Sequence, residues 1–66
     1  MIVNGEPADI PAGETVVAVL RRLGLDADAK GVAVAVDGEV LPRASWTSFA
    51  LPPDARVEIL TAMQGG

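Results

Sequence analysis

The sequence contains no cysteine and no histidine. Their absence excludes disulfides, thiolate nucleophiles, most zinc sites and the imidazole proton shuttle. Phosphate-cradling loops are missing too, since neither GxxxxGK[ST] nor GxGxxG occurs anywhere in the chain, and a nucleotide therefore has no recognisable seat. Basic residues are few: five Lys and Arg stand against nine Asp and Glu, for a net charge of -4. Without a basic stripe to neutralise phosphates, nucleic acid is a poor partner, and an acidic surface suits a basic protein instead. No apolar run approaches the ~20 residues of a membrane span. The N-terminus also lacks the basic-then-apolar pattern of a secretory signal. The expectation is a cytoplasmic protein with no membrane partner and no catalytic residues of its own.

What is present is one small core. The 66 residues are 50% hydrophobic, enough for a single domain that buries only ~60% of the surface its unfolded chain exposes. With no disulfide or metal to staple it, such a domain depends on orderly topology.

The chain opens with an apolar run, Met1 to Val3, closed by Asn4-Gly5, a dipeptide that accepts the positive φ angles of a tight hairpin turn; Ala8 to Ile10 supplies the return strand. Pro11-Ala12-Gly13 breaks the pattern. Thr15 then offers an N-cap oxygen to a segment whose Val16, Val19, Leu20 and Leu23 fall at i, i+3, i+4 and i+7, one face of a helix. Arg21 and Arg22 sit in its last turn, where cations suit the helix dipole, and Gly24 follows as a left-handed cap. Val32 to Val36 alternates valine with alanine, a period-two strand, and Asp37-Gly38 turns it into Glu39-Val40-Leu41 before Pro42 stops the pairing. Arg43 to Pro53 is an irregular crossing that pins itself by burying Trp46 and Phe49. Arg56 to Ala62 forms the last strand, with Val57 and Ile59 facing the core because a buried Glu58 would be costly.

The order is strand, strand, helix, strand, strand, loop, strand. If the first and last strands lie side by side at the centre they run parallel, and the helix serves the crossover between two hairpins. This is the α+β, β-grasp (ubiquitin-like) order: a mixed sheet of four to five strands with one helix packed on one face. Residues 1–62 make the domain and residues 63–66 a C-terminal tail.

That tail, Met63-Gln64-Gly65-Gly66, is the most informative stretch. Two glycines add nothing to a core and lose much entropy if held still. A frayed terminus accounts for such an ending in an arbitrary protein. In a β-grasp chain a second reading opens: a tail without Cβ atoms threads a narrow channel and presents its carboxylate to another enzyme. A free carboxylate is a poor electrophile, so its reaction needs adenylation by ATP, and the nucleotide must belong to the partner.

Other candidates are weaker. Asp26 and Asp28 fit a polar loop after the helix better than an acid and base pair, and Trp46 fits a core plug better than a ligand platform. Leu60 points by parity away from the helix, and Ala33 and Ala35 join it if the valines of their strand face inward. Together they would form a flat apolar docking surface for a partner.

Several separated segments resemble the ThiS family of thiamine biosynthesis: the opening Val3-Asn4-Gly5-Glu6, the central run from Val32 to Pro42-Arg43, Trp46, and the ending from Val57-Glu58-Ile59-Leu60 to Gly65-Gly66. The resemblance implies a sulfur carrier. A ThiF-like adenylyltransferase activates Gly66, sulfur from a cysteine desulfurase relay replaces the AMP, and the thiocarboxylate serves a ThiG-like thiazole synthase. Gly65, Gln64 and Met63 would be the stretch the partners grip. The molybdopterin synthase small subunit and ubiquitin-like protein modifiers share the diglycine and stand as alternatives, with a purely structural module as a third. In place of the family's Gly-Asp before the last strand, this chain has Asp54-Ala55, where a left-handed Asp54 is expected to make a similar bend.

Overall fold

A computed structural model describes residues 1–28 and 30–61. Strand β1 (Ile2–Val3) turns into β2 (Glu6–Pro7), helix α1 covers Val16–Arg22, β3 (Val32–Val36) turns into β4 (Glu39–Val40), and β5 (Arg56–Thr61) follows a long crossing. The sheet order is β2-β1-β5-β3-β4. Strands β1 and β5 pair in parallel at its centre, and every other neighbouring pair is antiparallel. This five-stranded mixed sheet with one helix is the β-grasp arrangement expected from the strand order.

Both hairpins are set by their turns. Asn4 and Gly5 have φ of 51° and 82°, and Asp37 and Gly38 have 51° and 86°. Two consecutive positive φ angles make a type I′ turn, whose twist matches that of the strands it joins. A two-residue turn forces its flanking residues to pair, so Val3 faces Glu6 and Val36 faces Glu39. The first return strand is therefore Glu6–Pro7, which corrects the expected Ala8 to Ile10. Pairing persists only as one bond from the Ala8 amide to the Met1 carbonyl, at 2.8 Å. In the second hairpin, Leu41 lies just past β4, yet its amide still donates to Val34 at 2.8 Å. Pro42 has no N–H with which to continue.

Helix α1 is short and firmly capped. The Thr15 hydroxyl accepts from the Ala18 amide at 3.3 Å. At the other end Gly24 takes φ 76°; its amide donates to Arg21 and the Leu25 amide to Leu20, at 3.0 and 2.8 Å. These two bonds are a Schellman cap, and glycine is what allows the left-handed residue it requires. Leu23, expected on the buried face, is the C-cap residue and is 45% exposed. The cap folds the chain back so that Leu25 packs against the core instead.

Val16, Val19 and Leu20 of the helix meet Val3, Val34, Val36, Val57 and Ile59 of the sheet, with Trp46, Leu51 and Ala55 completing the core. Among the described residues no polar or charged side chain is buried. The crossing loop is pinned by Trp46 and Leu51, whereas Phe49 remains 39% exposed, contrary to expectation. Backbone bonds do the rest: Leu51 donates to Glu14 and accepts from Gly13, both at 2.9 Å. The Trp46 indole donates to the Leu41 carbonyl at 3.0 Å. The Arg43 guanidinium lies 4.4 Å from the centre of its ring and also donates to the carbonyls of Ala27 and Val32. Trp46→Phe removes a hydrogen bond and part of a buried ring together, and is expected to cost about 2 kcal/mol in urea unfolding.

The bend before β5 differs from the expected one. Asp54 is not left-handed, because among the described residues only Asn4 and Asp37 combine a side chain with positive φ. The Ala55 amide donates to the Pro52 carbonyl at 3.1 Å, a β-turn in which the fixed φ of Pro53 suits the second position. Ala55 is fully buried, so its small size is what lets the turn sit against the core.

Candidate functional site

The site begins with β5, the central strand that leads in sequence into the tail. Val57 and Ile59 are buried, and Glu58 and Leu60 are exposed, as the cost of burying a carboxylate requires. Antiparallel pairing sets Leu60 opposite Ala33 and Glu58 opposite Ala35, and Ala35 also faces Val40. Since paired residues share a face, Leu60, Ala33, Ala35 and Val40 lie together on the side of the sheet away from α1.

Large residues point inward along β3 and small ones outward, which leaves this outer face flat. Leu60 is 66% exposed and Val40 75%. Val40 was not singled out from the sequence, although parity could have found it: the turn pairs Glu39 with inward Val36, so the next residue faces outward. Glu58 sits within the patch, and Arg56 lies further along the same strand face. An open groove of about 450 Å³ runs beside them, lined by Ile2, Asn4, Gly5, Arg56, Val57 and Glu58. Its openness to water suits recognition better than bond-making. Among the described residues, no three potential ligands gather where a metal could be held, and no helix is long and apolar enough to cross a membrane. Asp26 accepts from the Asp28 amide at 2.9 Å, an Asx turn in the loop after the helix.

Strand β5 is gripped from both sides by the turn residues. On the β3 side, the Asp37 amide donates to the Arg56 carbonyl at 2.8 Å, and the Asp37 carboxylate accepts from the Arg56 amide at 2.9 Å. On the β1 side, the Asn4 amide donates to the Val57 carbonyl at 2.8 Å, and the Asn4 side-chain oxygen accepts from the Ile59 amide at 2.7 Å. In each case the left-handed turn carries the main chain away and the side-chain oxygen stands where the next carbonyl of a strand would be. Sequence reading assigned Asn4 and Asp37 to turns only. Met63, Gln64, Gly65 and Gly66, and Ala62 at the expected strand end, lie outside the described residues.

Comparison with known proteins covers the whole chain. The family model described as "ThiS family" matches residues 1–66. The crystal structure of a thiamine biosynthesis protein (ThiS) from Geobacter metallireducens superposes with a TM-score of 0.75 at 34% identity, covering 98% of this chain and 96% of that one. A protein of Paramagnetospirillum magneticum named thiazole synthase is 33% identical over 66 residues, all of this chain. The chain spans only 20% of that relative's length.

Proposed function

This chain belongs to the ThiS family, and from that premise we propose that it is a sulfur carrier of thiamine biosynthesis whose Gly66 carboxylate is adenylated and converted to a thiocarboxylate. The observation that carries this reading is the family match over residues 1–66, which runs through the Gly65-Gly66 end. In this reading residues 1–62 are one folded domain and residues 63–66 the tail that enters partner active sites.

The chemistry is supplied from outside. A carboxylate oxygen of Gly66 attacks the α-phosphorus of ATP on a ThiF-like enzyme, releasing pyrophosphate and leaving an acyl adenylate. A persulfide sulfur from a cysteine desulfurase relay then attacks the carbonyl carbon and expels AMP. A thiol cleaves the resulting S–S bond and leaves the thiocarboxylate. The resemblance to a protein named thiazole synthase favours a ThiG-like acceptor over the molybdopterin branch. What this chain contributes is a carboxylate on an unhindered tail, a root for that tail on the central strand, and a surface for docking.

The outer face of the sheet is that surface in this reading. Leu60, Ala33, Ala35 and Val40 provide apolar area, and the net charge of -4 favours a partner whose contact surface is basic. Leu60→Arg places a charge where apolar contact forms and is expected to raise the KM for this chain in adenylation roughly tenfold, the size of a modest hot spot. Stability should move by less than about 0.5 kcal/mol, because Leu60 is outside the core. An unchanged KM would remove this face from the interface. The test of the carrier reading itself is ATP–pyrophosphate exchange on the activating enzyme. Exchange that depends on this chain supports adenylation, and exchange indifferent to it contradicts the proposal.

A further inference from the structure

We propose that Asn4, the turn residue just after β1, is a positioning residue for the tail, acting through the hydrogen bond that its side-chain oxygen accepts from Ile59 of β5. The inference rests on the carrier reading above. Three observations carry it. Asn4 is left-handed at φ 51° and closes the first hairpin. Its side-chain oxygen nevertheless reaches back 2.7 Å to the Ile59 amide, across 55 positions of sequence. Beyond Ile59 the described strand holds only Leu60 and Thr61, and both pair with β3 alone, opposite Ala33 and Val32.

The main chain of β1 cannot supply this bond. In a parallel ladder every second residue bonds to a given neighbour, donating to one of its carbonyls and accepting from the amide two residues on. Asn4 donates to Val57, and its own carbonyl would accept from Ile59 if the strand continued straight. The turn swings that carbonyl away, and the side-chain amide substitutes for it. Without the substitute, the Ile59 amide would lose its partner on the β1 side, and the two-sided support of β5 would end at Val57. The unsupported length before the tail would then grow by two residues. Asp37 performs the same substitution at the other end of β5, on Arg56, so one side-chain device fixes both ends of the strand. Only the Asn4 contact lies at the end of β5 that leads in sequence into the tail.

A looser root lets the tail sample more directions, which lowers the fraction of bound carriers with Gly66 in reach of ATP. The effect belongs to kcat rather than to docking, because the apolar docking residues Leu60, Ala33, Ala35 and Val40 are untouched. Asn4→Gly keeps the left-handed turn, which glycine adopts freely, and removes the acceptor. Asn4→Asp keeps both turn and acceptor.

Both variants would be compared with the wild-type chain in steady-state adenylation by a ThiF-like enzyme, well below their unfolding temperatures. Native-state hydrogen exchange would be recorded at Ile59. The expected result is a roughly two- to tenfold lower kcat for Asn4→Gly at unchanged KM, in line with one lost hydrogen bond. Ile59 exchange should be faster in that variant, and Asn4→Asp should restore both. A wild-type kcat in Asn4→Gly, or an equal loss in both variants, overturns the positioning role, as does Ile59 exchange that is unchanged in Asn4→Gly. If the wild-type chain itself is not adenylated, the carrier reading fails and the positioning role falls with it. A working wild type with an indifferent Asn4→Gly sinks this inference alone.

Discussion

Deletion of Gly66 is expected to abolish thiocarboxylate formation and thiazole synthesis while leaving the domain as stable as before. In the proposed mechanism the reacting carbon is the Gly66 carbonyl carbon, and shortening the chain by one residue withdraws the carboxylate by about 3.5 Å from the place where the partner would hold ATP. Misplacement of a reacting atom by about 1 Å already costs on the order of a hundredfold in rate. A full residue leaves nothing to measure above background. Gly66→Ala is expected to fail as well, since its methyl group stands beside the reacting carbon in a passage that glycine fits without a Cβ. The fold should not register either change. Among the described residues the core is complete between Val3 and Ile59, and urea unfolding of each variant should overlay the parent curve. Sulfur loading that survives loss of Gly66 would mean that the tail is not the carrier.

The largest effect on stability is expected at Leu20. Its side chain is fully buried, at the centre of the contact between α1 and the sheet. Leu20→Ala removes apolar area and leaves a cavity that two short hairpins and a seven-residue helix have little freedom to fill, at a cost of about 2–5 kcal/mol. A domain of 66 residues holds only about 3–10 kcal/mol in total. Such a loss consumes much of the stability or all of it, because the chain has no cysteine for a disulfide and, among the described residues, no buried charge. Thermal melting should show a midpoint lowered by well over 10 °C or no cooperative transition. A change below about 1 kcal/mol would show that the helix is not packed as described.

Much of this architecture is legible in the sequence because the signals are local. Asn4-Gly5 and Asp37-Gly38 announce type I′ turns by chemistry alone. The Val-Ala alternation of β3 separates the two faces, and Gly24 marks the end of the helix. Expectation and structure part where a second constraint overrides the apolar pattern. The return strand begins at Glu6 because turn geometry fixes register, a stronger constraint than the apolar character of Ala8 and Ile10. Leu23 fits the helical period but meets solvent, since the cap turns Leu25 inward in its place. Phe49 has the hydrophobicity of a core residue without the position, the crossing loop being held by Trp46, Leu51 and backbone bonds. The grip of Asn4 on Ile59 spans almost the whole chain, and no local pattern predicts it.

The candidate site was legible in a different way. Parity placed Ala33, Ala35 and Leu60 on the outer face, and the same reasoning applied to the second hairpin would have added Val40. The tail stands out by what it lacks: a diglycine end carries no side chain to analyse, and in the proposed reading its chemistry lies in the carboxylate and in partners that bring ATP and sulfur.

The central claim is tested most directly by the intact mass of the chain after incubation with a ThiF-like enzyme, ATP, a cysteine desulfurase relay and a thiol. The expected result is a gain equal to exchange of one oxygen for sulfur, dependent on ATP and absent from the Gly66 deletion. An unchanged mass under conditions that load another ThiS family member would contradict the carrier function.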